Sequence, residues 1–164
     1  MPHAPPSRRT SILACAGFLI VTLAIGQAGG AITAPALRGW YPALIKPTFT
    51  PPDWVFPVAW TFLFIAMAVA AWLVWRAAGG LAKAPRAFGL WGLQLALNFG
   101  WSWLFFGLRD PGLGLLGVSA LWMAILLNIA AFAPWSRAAA WLLAPYLLWV
   151  SFAAALNFAI WQMN

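Results

Sequence analysis

Thr50-Pro51-Pro52-Asp53-Trp54-Val55-Phe56-Pro57-Val58-Ala59-Trp60 combines a helix start, a helix breaker and the densest aromatic cluster in the chain. Thr50 can cap a helix whose first position is Pro51, where the missing N–H costs nothing, with the Asp53 carboxylate near the positive end of the helix dipole. The pattern predicts a helix from 51. Pro57, four residues after Asp53, cannot donate to the Asp53 carbonyl, so the spacing predicts a bend near the start of that helix. Trp54, Phe56 and Trp60 surround the bend.

Outward from this stretch, charge is scarce: 7% of the 164 residues are charged and 65% are hydrophobic, against about 25% charged in a soluble domain. Arg8, Arg9, Arg38, Lys46, Asp53, Arg76, Lys83, Arg86, Arg109, Asp110 and Arg137 divide the chain into uncharged runs near 11–31, 54–75, 87–108, 111–136 and 138–164. Each run can supply the roughly 20 apolar residues of a membrane-crossing helix. The sequence therefore predicts an all-α membrane protein, a bundle of five transmembrane helices. Their expected bounds are about 11–31, 51–76, 84–107, 111–133 and 137–162, in a single domain over 11–164 that follows an N-terminal tail at 1–10.

The net charge of +7 does not point to nucleic acid, because the basic residues stand scattered at segment ends and form no single patch. Arg8, Arg9, Arg76, Lys83, Arg86 and Arg137 fall on one side of the predicted bundle and Arg38, Lys46 and Arg109 on the other. Six against three places the N-terminus in the cytoplasm if the membrane is an inner one. Ser7-Arg8-Arg9, an apolar stretch and Gly26-Gln27-Ala28 also fit a cleaved signal peptide. The run is long for such a signal, and a polytopic chain needs its first helix, so it is read as a span. Cys15 is the one cysteine and excludes a disulfide framework; His3 stands in a Pro-rich tail with no ligand partner.

Within the first span, Gly26 and Gly30 have small-xxx-small spacing, and Gln27 points either to the interface or into a cavity. The connection over 32–50 carries Pro35, Gly39, Trp40, Tyr41, Pro42, Lys46, Pro47 and Phe49. It suits an interfacial anchor and, as the one long connection, a lid; the two roles are compatible. Phe56, Trp60 and Phe64 form one aromatic stripe. In the third span Gln94, Asn98 and Ser102 recur every four residues, and Gly92, Ala96 and Gly100 do so about 200° around the helix. Uncharged polar groups in hydrocarbon must face protein or a cavity, so the polar stripe is predicted to face inward, either for interhelical hydrogen bonds or for a ligand. The small stripe can receive another helix, from this chain or from a second copy. Asp110-Pro111 predicts a capped start for the fourth span. Tyr146, Trp149, Ala153 and Asn157 share a narrow arc of the fifth, with Pro145 able to kink the chain before them.

No run holds an acidic or basic residue in its core, which argues against ion-coupled transport, pumping and voltage sensing. One His, one Cys and two Asp in unrelated places make no metal site. No nucleophile has a visible base. What remains is a cavity of Trp, Tyr, Phe, Asn and Gln, suited to a flat, mostly apolar ligand with a few polar edges.

Trp40-Tyr41, Lys46-Pro47, the stretch from Pro51 to Trp60, Gln94-Leu95-Ala96-Leu97-Asn98 with Trp101 and Phe105-Phe106-Gly107, Pro145-Tyr146-Leu147-Leu148-Trp149, and Ala155-Leu156-Asn157 resemble the TspO/MBR family. This family comprises the tryptophan-rich sensory proteins related to the mitochondrial translocator protein, and the resemblance runs from about residue 11 to the end of the chain. It implies a five-helix bundle, commonly a dimer, with a pocket beneath the first loop that takes protoporphyrin and other tetrapyrroles as ligand, with no cofactor required. It further implies that Trp60 and Trp149 are pocket tryptophans, involved in some bacterial members in light-dependent porphyrin breakdown. By the same resemblance Tyr41 and Pro47 close over the ligand, Asn98 is a polar position of the third helix and Ala153 a small wall position. Stripe and resemblance together give Tyr41, Pro47, Phe56, Trp60, Gln94, Asn98, Trp101, Tyr146, Trp149 and Ala153 as candidate ligand-binding residues, and Gly92, Ala96 and Gly100 as a candidate dimer face. The sterol motif of the animal members is degenerate here, because Phe158 replaces its tyrosine and Gln162 its basic residue.

The expected functions are a tetrapyrrole receptor or sensor in the membrane, a photo-oxidative enzyme using Trp60 and Trp149, or a passive conduit for the ligand. A partner protein whose tryptophans only anchor it in the membrane is the remaining class.

Overall fold

The computed structural model describes residues 7–164, and His3 lies outside the described residues. Among them the regular structure is helical throughout. Four long elements, α1 (Arg8–Leu37), α3 (Val55–Ala78), α5 (Pro111–Phe132) and the joined pair α6 (Arg137–Leu142) and α7 (Ala144–Met163), are long and apolar enough to cross a bilayer. The polar stripe and modest length of α4 (Pro85–Ser102) set it apart; a π-helical turn over Trp103–Gly107 extends it. The short α2 (Trp40–Ala43) lies in the connection between α1 and α3.

Going round the bundle, α1 packs between α3 and α4, α4 against α5, α5 against α7, and α6 back against α3. The ring places the α1 start, the α3 end and the α4 start at one end. The other end holds α2, the start of α3, the π turn and the end of α7.

The local starts and stops follow partly from the sequence. The Asp110 carboxylate accepts from the Gly112 and Leu113 amides at 2.8 and 2.9 Å, ahead of Pro111 in the first turn of α5, as the Asp-Pro pair predicts. Ser136 caps α6 through the Ala139 amide. Leu143 interrupts the last span two residues before Pro145, which cannot donate a backbone hydrogen bond one turn back.

Three expectations are corrected. α1 is longer than 11–31 at both ends, so the tail does not extend to 10. Ser7 accepts from the Thr10 amide and starts the helix early, and Gly29, Gly30 and Pro35 do not stop it before Leu37. A helix in hydrocarbon satisfies its own backbone, which outweighs the weak breaking tendency of glycine, and Pro35 lies within the last turn. The helix expected from Pro51 begins instead at Val55: the Thr50 hydroxyl turns back to the Pro47 carbonyl at 2.7 Å and caps nothing. Pro57 therefore sits in the first turn, where its missing N–H has no partner to lose, and there is no preceding helix to bend.

The 38–54 connection is tied down from two sides. Lys46 Nζ donates to the Tyr41 and Pro42 carbonyls at 2.9 and 3.4 Å and lies 4.8 Å from the Tyr41 ring centre. The Asn164 amide exchanges two 3.0 Å hydrogen bonds with the backbone of Ile45. Asn164→Ala removes both at a cost of about 1 kcal/mol each. Hydrogen exchange at Ile45 is expected to speed up roughly tenfold or more, with α5 unchanged; an unaltered Ile45 rate would show that the clasp does not hold the connection.

Candidate functional site

The ring of helices encloses a cavity of about 420 Å³ at the α2 end. The aromatic stripe of α3 forms one wall, with Phe56, Trp60 and Phe64 all lining it. These three sit one turn apart, so an α-helix stacks them on one face. The facing wall is made of small side chains: Gly26, Gly30, Thr33 and Ala34 of α1. A methyl group added at Gly26 would lie 2.7 Å from the Phe64 ring, whereas one added at Gly30 would meet nothing within 4 Å. Of the expected small-residue pair, one glycine packs a helix and the other leaves room.

The floor is polar. Asn98 Nδ2 donates to the fully buried Tyr146 hydroxyl at 3.0 Å, and Trp101 Nε1 donates to Asn157 Oδ1 at 3.3 Å. Asn157 Nδ2 donates in turn to the Pro111 carbonyl at 2.7 Å, so one amide joins α4, α5 and α7. These bonds hold two amides and two aromatic rings in fixed positions beneath the cavity. At the mouth stand Tyr41 and Asp53, the one charged residue of the wall. Burial first, and then the nearby Asp53 charge, hold the Tyr41 phenol above its ordinary range, so it remains a neutral hydroxyl.

The π turn shapes the roof. Leu108 N donates to the Trp103 carbonyl at 2.8 Å, five residues back, and Arg109 then takes a left-handed φ of 57° before α5 begins. Consecutive residues Phe105 and Phe106 both reach the cavity, their rings 4.7 Å apart, and Tyr41 and Trp40 pack on them.

Of the ten candidate residues, Tyr41, Phe56, Trp60, Asn98, Trp101 and Ala153 line this cavity, and four stand off it. Pro47 is buried within the connection. Gln94 lies one turn below Asn98, past the floor, buried with neither amide atom hydrogen-bonded. Tyr146 supports Asn98 from beneath, and its ring packs on Trp60 at 6.2 Å. Trp149 stands behind the wall, edge-on to Trp60 at 6.5 Å and to Phe56 at 5.9 Å, with its buried Nε1 unpaired. Sequence periodicity finds the inward face of a helix but not the depth at which a cavity ends, which is why Gln94 and Asn98 looked equivalent.

Residues missing from the candidate set include Gln27 and the small wall of α1, Asp53, Phe64, Ser102, Phe105, Phe106 and Asn157. The signal for Ser102 and Asn157 was present in their inward stripes. For Phe105 and Phe106 the only signal was their place in the family motif, since the π turn breaks the helical period that would have put them on the inward face. The stripe of Gly92, Ala96 and Gly100 faces away, with open space where a methyl would stand on either glycine. No group of three metal-ligating side chains occurs among the described residues.

The model of the TspO/MBR family matches residues 18–162. The chain is similar to the tryptophan-rich protein TspO of Chlorobaculum tepidum, 43% identical over 93% of this chain and 97% of the relative. It is also similar to that of Archaeoglobus fulgidus, 42% identical over 94% and 99%. The human translocator protein is 40% identical over 76% of this chain and 75% of its own length.

Proposed function

Because the chain belongs to the TspO/MBR family, we propose that it is a five-span integral membrane receptor or sensor that binds tetrapyrroles of the protoporphyrin type and so influences porphyrin handling. The observation that carries this reading is the cavity, walled by the α3 aromatic stripe and floored by oriented amides. Its volume falls within the usual range of small-molecule sites, about 300–1,000 Å³. A flat macrocycle stacks on Trp60 and gains hydrogen bonds at its polar edge, while Tyr41 and the 38–54 connection close over it. In this reading α4 is the fifth span, its polar stripe screened by the helices around it, and two copies pair through Gly92, Ala96 and Gly100.

The test is quenching of tryptophan fluorescence by protoporphyrin in the purified, detergent-solubilised protein. Saturable quenching at micromolar porphyrin is expected. Linear quenching without saturation would mean that porphyrin merely partitions into the micelle, and the reading fails.

A second reading is photochemical: dioxygen oxidises bound porphyrin in light, with Trp60 and Trp149 relaying electrons. The close contacts of Trp60 with Trp101 at 5.9 Å and with Trp149 favour it. Product formed in light, absent in the dark and reduced in Trp60→Phe, supports it; equal rates for free and bound porphyrin eliminate it. Passive release of ligand through the α1 wall is tested by porphyrin uptake into liposomes that contain the protein.

Asp53 carries a specificity consequence. An unpaired carboxylate at the mouth repels the propionate edge of protoporphyrin. Asp53→Asn is expected to tighten protoporphyrin binding roughly fivefold at low salt, with little effect on its dimethyl ester. Equal changes for the two ligands would show that Asp53 does not read ligand charge.

A further inference from the structure

At the end of the bundle opposite the aromatic cavity, the first turn of α1 and the end of α3 line a second, open hollow of about 370 Å³. It is lined by Arg8, Ser11, Ile12, Trp72 and Arg76. Its parts are held in place. Trp72 Nε1 donates to the Ser11 carbonyl at 3.0 Å and lies 3.2 Å from the Ser11 hydroxyl, joining α3 to α1. The Arg76 guanidinium lies 4.9 Å from the Trp72 ring centre, stacked on the same indole. Two guanidiniums thus share one hollow.

Neither has a counter-charge within the chain. The only acidic side chains are Asp53 and Asp110, which precede α3 and α5 at the far end of the bundle. Arg9, Lys83, Arg86 and Arg137 stand at the same end as the hollow and add to the positive field. The hollow also lies where apolar spans end, the depth at which lipid headgroups sit. Ile12, 59% exposed, gives its lip an apolar surface.

We propose that this hollow binds the phosphate of an anionic phospholipid, with Arg8 and Arg76 donating to its non-bridging oxygens and an acyl chain lying along Ile12. The guanidinium fork matches phosphate geometry, and basic hollows between spanning helices suit lipid headgroups. A zwitterionic lipid brings the same phosphate but adds a cation, which the surrounding arginines and lysine oppose. This site is separate from the porphyrin cavity and does not depend on it.

The experiment is native mass spectrometry of the full chain released from micelles containing phosphatidylglycerol or phosphatidylcholine, with helical content of each variant checked by circular dichroism. The wild type is expected to retain one phosphatidylglycerol in preference to phosphatidylcholine. Affinity should fall about fivefold in R76Q and about 25-fold in R8Q/R76Q, while R137Q, at the same end but off the hollow, stays near wild type. Retention unchanged in R8Q/R76Q, or lost equally in R137Q, would overturn the proposal, the second outcome indicating only diffuse charge attraction. Saturable binding of inorganic phosphate to lipid-free protein at a concentration that displaces the lipid would overturn it too, in favour of a soluble anion site.

Discussion

Trp60→Ala is expected to weaken protoporphyrin binding by about 2–3 kcal/mol, roughly 30- to 160-fold, because it removes an indole from the aromatic wall of the cavity. Trp60 is also the hub of the aromatic cluster, with Phe64, Trp101, Tyr146 and Trp149 all within 6.5 Å of it, centre to centre. Truncation therefore loosens the wall as well as removing a stacking partner. Trp60→Phe separates the two effects, since a smaller ring keeps the wall closed and loses only part of the stacking area; an intermediate loss is expected. Trp149 behaves differently because it backs the wall and does not form it. Its buried Nε1 has no acceptor, so Trp149→Phe removes an unsatisfied donor that costs about 1–3 kcal/mol, offsetting the area lost with the larger ring. Its thermal stability should stay near wild type and its porphyrin affinity should change by less than about fivefold. Fluorescence titration and thermal unfolding of the three variants check this. A Trp149→Phe variant that loses as much affinity as Trp60→Ala would place both indoles against the ligand, and the distinction drawn from the cavity wall would be wrong.

That distinction also shows what the sequence can and cannot carry. Apolar runs bounded by charge located the long elements, because a backbone in lipid must be helical and the hydrocarbon thickness sets its length. The i, i+4 stripes predicted the buried faces of Gln94, Asn98 and Ser102 and the cavity-lining face of Phe56, Trp60 and Phe64, because the helical period alone decides which side a residue occupies. Depth along the helix is another matter. Gln94 and Asn98 lie on one face, yet only Asn98 reaches the cavity, since the floor is fixed by the Tyr146 hydroxyl from a helix about fifty residues away. Phase fails at the π turn, where an extra residue per turn brings Phe105 and Phe106 to the same space. Local cap rules worked at Asp110, whose carboxylate has no competing partner. They failed at Thr50, whose hydroxyl is taken by the Pro47 carbonyl within the preceding tight turn. Side chains that can bond their own backbone make such starts uncertain until the turn is known.

Gly114→Ala is expected to destabilise the protein by about 2–5 kcal/mol. Gly114, in the first turns of α5, is where that helix meets both the π turn and α7. A methyl there would stand 2.6 Å from Phe105 Cδ2, 2.9 Å from Phe105 Cβ and 2.9 Å from Asn157 Oδ1. The contact with Phe105 Cβ cannot be relieved by turning a ring, because Cβ moves only with the backbone of the π turn. The contact with Asn157 Oδ1 displaces the acceptor of Trp101 Nε1, leaving a buried donor unpaired. Gly30→Ala is the matched control, since the same methyl on α1 meets nothing within 4 Å and relieves the backbone entropy cost of a helical glycine, about 0.5–1 kcal/mol. Its melting temperature should be equal to or above that of the wild type. Trp101, Phe105 and Asn157 all line the cavity, so Gly114→Ala should also shift its roof and floor and weaken porphyrin binding in whatever fraction remains folded. Thermal unfolding in detergent decides the matter. If Gly114→Ala melts with the wild type and with Gly30→Ala, the close approach of α5 to the π turn is not what holds this end of the bundle together.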